Sequence, residues 1–189
     1  MEHLTEMSNT EKPTRFFILL YDVSEKPSRL KVKAWRKLRI LGGIYPKLSL
    51  CIIPDSGKLN EELLKALEEL RDVEFTVFLS KPLREEDLKN IFQKFKESRE
   101  REYLEIIEEC REFLEEIERN IDTGNLTEEE YEELEEELEA LNKWYRKVSE
   151  RDLWEIPKKK EAENYLEKCK EALFSFAEKI LEKNKLIDV

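Results

Sequence analysis

Between Pro82 and Gly124 the chain runs without a single proline or glycine, and Leu88, Ile91, Phe92, Phe95, Tyr103, Ile106, Ile107, Cys110, Phe113, Leu114, Ile117 and Ile121 recur at helical spacing. A segment of this kind has one stable form, a very long amphipathic helix that buries its apolar stripe against other helices. Thr123-Gly124-Asn125 ends it. Thr127 with Glu130 then reads as a capping box opening a second helix, with Tyr131, Leu134, Leu138, Leu141, Trp144 and Val148 inward. After Pro157 a third helix is expected to bury Tyr165, Leu166, Cys169, Leu173, Phe176, Ala177, Ile180 and Leu181. Short turns between three such helices predict an antiparallel three-helix bundle over residues 83–189.

The segment before Pro82 has a different period. Phe16 to Tyr21 is a continuous apolar run closed by Asp22, as in a central strand buried on both faces. From Ser28, taken as a capping residue after Pro27, Leu30, Ala34, Leu38 and Leu41 form one helical face, with Trp35 at its edge and Gly42-Gly43 at its end. Strand-like residues follow at Ile44-Tyr45 and Leu48–Ile53, then a helix at 59–71 and a strand from Val73 to Leu79. The order β-α-β-β-α-β is that of a split βαβ unit, so the fold class expected is α+β: a ferredoxin-like domain at 14–82 followed by the bundle. Residues 1–13 are polar, without period, and expected to be a disordered leader.

Several chemistries are poorly supported. With 4 glycines the chain has no Gly-rich phosphate loop, and the one histidine, His3, supports neither a His-based triad nor an imidazole metal site. No cofactor is expected. Cys51, Cys110 and Cys169 contain no CxxC and fall on apolar positions, so they are assigned to packing. No stretch approaches the roughly 18 apolar residues of a membrane span, and the leader has no apolar core, so the expectation is a cytoplasmic protein with no membrane partner.

Charge is segregated. The net charge is −11, yet from Lys12 to Lys47 there are 10 basic residues against 2 acidic, while from Glu97 to Glu139 there are 20 acidic residues against 4 arginines. Lys26, Arg29, Lys33 and Arg36, spaced 3, 4 and 3, stack opposite Leu30, Ala34 and Leu38. Either they form an ordinary solvated face or they bind phosphate. The absence of any acidic residue from Lys26 to Lys47 favours phosphate, because each contact needs a cation not already neutralised.

The segment FFILLYDVSEKPSRLKVKAWRKLRILGGIYPKLSLCIIP resembles the small CRISPR adaptation endonuclease subunit and the sheet domain of phenylacetate-type repressors. More specifically, Trp35-Arg36-x-Leu38-x-x-x-Gly42 with Leu50-x-Ile52-x-Pro54 is similar to the N-terminal region of the chromate resistance regulator family, ChrB. So are Phe95 with Arg99 and Glu102-Tyr103, Leu141-x-x-Trp144, Arg151-Asp152 and the last helix, a resemblance covering residues 14–183. It implies a DNA-binding transcriptional regulator, not an enzyme, that contacts double-stranded DNA phosphates through the first helix. A symmetric homodimer is expected, since operators commonly mirror a two-fold protein. Full-length members of that family carry a further C-terminal domain.

Two alternatives stay open. The likeness to the CRISPR subunit would make Asp22 a divalent-metal ligand of a nuclease; otherwise Asp22 caps the turn after its strand. The acidic helices would alternatively serve as a protein-interaction module. Within the bundle, the inward stripe passes through Arg99 and Glu102, with Arg151, Asp152 and Trp154 at the junction of the last two helices. Buried charges must be paired or line a cleft. The pairing alternative is a set of structural ion pairs; the cleft alternative is an anion pocket of Arg99, Tyr103 and Arg151 for chromate or another oxyanion.

Overall fold

The computed structural model describes residues 13–22, 24–47 and 49–187. The leader expected at 1–13, apart from Pro13, lies outside the described residues, as do Val23 and Leu48. The elements are β1 (Phe16–Tyr21), α1 (Ser28–Ile40), β2 (Ile44–Lys47), β3 (Leu50–Pro54), α2 (Gly57–Glu69), β4 (Phe75–Ser80), α3 (Glu85–Thr123), α4 (Glu128–Glu150) and α5 (Lys158–Ile187). They form two compact units that divide between Phe95 and Lys96, within α3.

In the first unit the strands form one antiparallel sheet in the order β2-β3-β1-β4. This is the βαββαβ ferredoxin-like arrangement, and it puts the apolar run Phe16–Tyr21 in an interior strand. Alternation along β1 sends Leu19 and Tyr21 to one face, where they meet Ala34 and Leu38 of α1, and Leu63, Ala66 and Leu70 from α2 and its C-terminal end. On the other face the start of α3 covers Phe16, whose ring stacks on Phe95 at 5.9 Å and meets Phe92 at 6.2 Å.

The ends of α1 show which signals were local. Gly42 has φ 81°, its N–H donates to Arg39 O at 2.9 Å, and Gly43 N–H donates to Leu38 O at 3.0 Å. That is the Schellman closure expected of the glycine pair. Gly43 is also required for a close approach: a Cβ there would lie 2.6 Å from Cys51 Sγ and 2.8 Å from Leu38 O. At the other end Ser28 is not the cap. Pro27 occupies that position without a side-chain bond, and its carbonyl accepts from Leu30 N and Lys31 N at 2.9 and 3.2 Å. Proline restricts the backbone enough to start the helix from its carbonyl alone.

In the second unit, α4 runs antiparallel to α3: the rings of Tyr103 and Tyr145 lie 6.1 Å apart, and Asn120 Nδ2 donates to Glu130 Oε1 at 2.6 Å near the connecting turn. Helix α5 returns parallel to α3, with Cys169 Sγ donating to Cys110 O at 3.4 Å and Lys183 Nζ to Gly124 O at 3.1 Å. The capping box is half formed. Thr127 Oγ1 accepts from Glu130 N at 3.2 Å, but the Glu130 carboxylate receives Asn120 and Asn125 instead of returning to the cap. Leu181, expected inward on α5, is exposed, while Leu173, Phe176 and Ile180 are buried. Cys51, Cys110 and Cys169 are all free and buried.

Candidate functional site

Helix α1 turns Ala34 and Leu38 into the sheet, which leaves Arg29, Lys33 and Arg36 exposed on its outer face. Lys26 lies in the turn before the helix and is half-buried, so the helical spacing does not extend to it. The cations are not equivalent. Lys33 Nζ donates to Glu69 O, the carbonyl at the C-terminus of α2, at 2.9 Å, and Lys37 Nζ lies 2.7 Å from a Glu69 carboxylate oxygen. Cations at the exposed carbonyls of a helix end are favoured there, so these lysines bind α1 to α2. Lys37 holds the Glu69 carboxyl below its ordinary value. Arg29 and Arg36 remain on the outer surface beside a groove of about 590 Å³ that they share with Val32 and Ile40.

Those two aliphatic side chains, with Trp35, are the part that charge counting missed. Val32, Trp35 and Ile40 are all substantially exposed, and the Arg39 guanidinium lies 5.2 Å from the Trp35 ring centre. Their signal in the sequence is their offset from the Leu30, Ala34, Leu38 stripe. The outer face of α1 therefore mixes cations with exposed apolar side chains. A second groove, of about 990 Å³, shares Val32 with the first and is lined also by Lys31 and Trp35 of α1 and by Tyr45, Pro46 and Lys47 of β2.

Asp22 lies at the end of β1, exposed, and its Oδ1 accepts from Ser24 N at 2.7 Å. That bond holds its carboxyl below the ordinary value. This is the turn-capping arrangement. Among the described residues no group of three or more His, Cys, Asp or Glu side chains is placed to hold a metal ion.

In the second unit the structure brings Arg99, Glu102, Tyr103, Arg151 and Asp152 together. Arg99 Nη1 lies 2.9 Å from Glu102 Oε2, and Arg151 Nη2 donates to Glu102 Oε1. Asp152 accepts from Tyr103 Oη at 3.1 Å and from Trp154 N and Ile156 N, each at 3.2 Å, so its carboxylate orders the α4–α5 connection. Burial, with Asp152 alongside, pushes the Tyr103 phenol well above its ordinary value. Glu102 thus pairs with both guanidiniums, while the Asp152 carboxylate is taken up by Tyr103 and two backbone N–H groups.

Among the described residues no helix is long and apolar enough to cross a membrane. A family model described as Protein ChrB, N-terminal, matches residues 31–187, which takes in α1 from its second turn and every later element. No curated protein and no solved structure matches the chain.

Proposed function

The chain belongs to the ChrB N-terminal family, and from that premise we propose that it is a DNA-binding regulator of the chromate-resistance type, contacting duplex phosphates with the outer face of α1. The observation that carries this reading is the pair Arg29 and Arg36, exposed on one helix face in a segment, Lys26 to Lys47, that contains no acidic residue. Val32 and Ile40 beside them supply contact area for sugar edges. Such binding positions the protein on DNA, while sequence choice comes from base contacts or DNA shape.

The test is binding to operator-length duplex at several salt concentrations, for wild type and for Arg29→Ala with Arg36→Ala. Log affinity is expected to fall against log salt with a slope of about −0.9 per phosphate neutralised, and the double variant to bind more weakly and less steeply. Equal affinity for the two proteins, or no salt dependence, would remove the reading. Incubation of the same DNA with Mg²⁺ or Mn²⁺ tests the nuclease alternative; cleavage lost in Asp22→Ala would put that alternative first.

A further inference from the structure

The sheet of the first unit has two edges, and they are built differently. The β2 edge carries Pro46, which has no N–H to offer, and Lys47, and its register with β3 is irregular between Ile44 and Lys47. Those are the devices that stop an edge strand from pairing further. The β4 edge carries none of them. Its sequence Phe75-Thr76-Val77-Phe78-Leu79-Ser80 has no charge and no proline, and it keeps an unbroken register with β1 over all six residues. Among the described residues β4 pairs on one side only. Val77, Phe78 and Leu79 are 37%, 50% and 49% exposed, and alternation puts Val77 and Leu79 on one face and Phe78 on the other, so the edge is apolar on both sides.

We propose that β4 is the seam of a symmetric dimer, in which a second copy of this chain adds its own β4 antiparallel to the first and makes one continuous eight-stranded sheet. The charges flanking the strand match this occupant. Asp72 and Glu74 precede β4 and Lys81 follows it. Antiparallel pairing sets the acidic entry of one copy beside the basic exit of the other at both ends of the seam, whereas parallel pairing would set like beside like. A two-fold axis between edge strands stands perpendicular to the sheet and leaves each face on its own side. Residues opposite one another must then come from the same face, so one residue lies opposite its own copy. Centring on Phe78 opposes the two Phe78 rings and sets Val77 opposite Leu79 of the second copy, which buries every exposed apolar side chain of the strand. This inference stands apart from the DNA reading, because neither Arg29 nor Arg36 enters it.

The experiment measures the mass of the full chain by sedimentation across a range of micromolar concentrations, without DNA. Wild type is expected to be dimeric, and Phe78→Lys to be monomeric with unchanged circular dichroism, since the half-exposed position leaves the fold intact. Because the native cysteines are all buried, single introduced thiols report the register: Phe78→Cys should oxidise to a covalent dimer, and Leu79→Cys should not. A wild type that is monomeric throughout, as it would be if another protein or another segment covered β4, overturns the proposal. So does a dimer that survives Phe78→Lys and fails to cross-link through Phe78→Cys.

Discussion

Arg151, just beyond the end of α4, hydrogen-bonds Glu102 of α3, whose other carboxylate oxygen lies 2.9 Å from Arg99 one helical turn away. One carboxylate thus serves two guanidiniums, with Arg99 1% exposed and Glu102 3% exposed. Removing it leaves buried positive charge uncompensated, and breaking a buried pair in this way costs about 3–5 kcal/mol. Glu102→Ala should therefore lower unfolding free energy by that amount in urea titrations, and Arg151→Ala by less, because Arg99 keeps Glu102. A loss under about 1 kcal/mol for Glu102→Ala would contradict the pairing. The oxyanion reading is decided on the same protein: matched ionic strengths of chromate, sulfate and chloride should give superimposable melting curves, and a chromate-specific rise would assign Arg99, Tyr103 and Arg151 to a ligand.

Lys33 and its helix neighbours should separate in their effects. Its ammonium is bound to Glu69 O, so Lys33→Ala should lower the melting temperature by loosening α1 from α2 while changing the salt slope of DNA binding little. Arg29→Ala and Arg36→Ala should each reduce that slope by about 0.9 with little effect on melting. The opposite pattern would place the phosphate contacts on the lysine side of the helix.

Gly43→Ala should destabilise the first unit. The added methyl would lie 2.8 Å from the Leu38 carbonyl, which is backbone and cannot step aside, and 2.6 Å from Cys51 Sγ. Overpacking of this kind costs about 1–3 kcal/mol. Thermal denaturation of Gly43→Ala and of Gly43→Ala with Cys51→Ala checks it, the double variant recovering only part of the loss. Unchanged melting in the single variant would show that the backbone moves freely there.

The Cys51 thiol gives the fold an alkaline dependence. Burial pushes it up to about 12 from an ordinary 9.0. The unfolded chain therefore loses this proton first as pH rises, so the contribution is complete below the unfolded value and is lost as pH climbs toward the folded one. The slope is about 1.4 kcal/mol per pH unit across that window. Denaturation profiles from pH 8 upward should fall more steeply for wild type than for Cys51→Ala, and the difference includes the neighbouring Tyr45 and Tyr21 phenols, which Cys51 helps to raise. Parallel profiles would mean that the thiol ionises in the folded state without penalty.

What the sequence determined by itself was whatever depends on neighbours within a turn or two of chain. The long period of α3, the Schellman closures at Gly42-Gly43 and Gly124, the Thr127 cap and the interruption of an apolar stripe by Arg99 and Glu102 all follow from spacing of this kind. Even the outer face of α1 was legible, since fixing Leu30, Ala34 and Leu38 inward sends Arg29, Lys33 and Arg36 outward. Tertiary structure decided the rest, because it pairs residues that local chemistry does not connect. Phe16–Tyr21 reads as a central strand from its continuous apolar run, but Phe75–Ser80 is also uncharged and largely apolar, and only the strand order makes it an edge. Lys33 and Arg36 look alike until α2 brings Glu69 O to one of them. Exposure is thus a property of the packed arrangement: an apolar run is interior at one position in the strand order and an exposed edge at another.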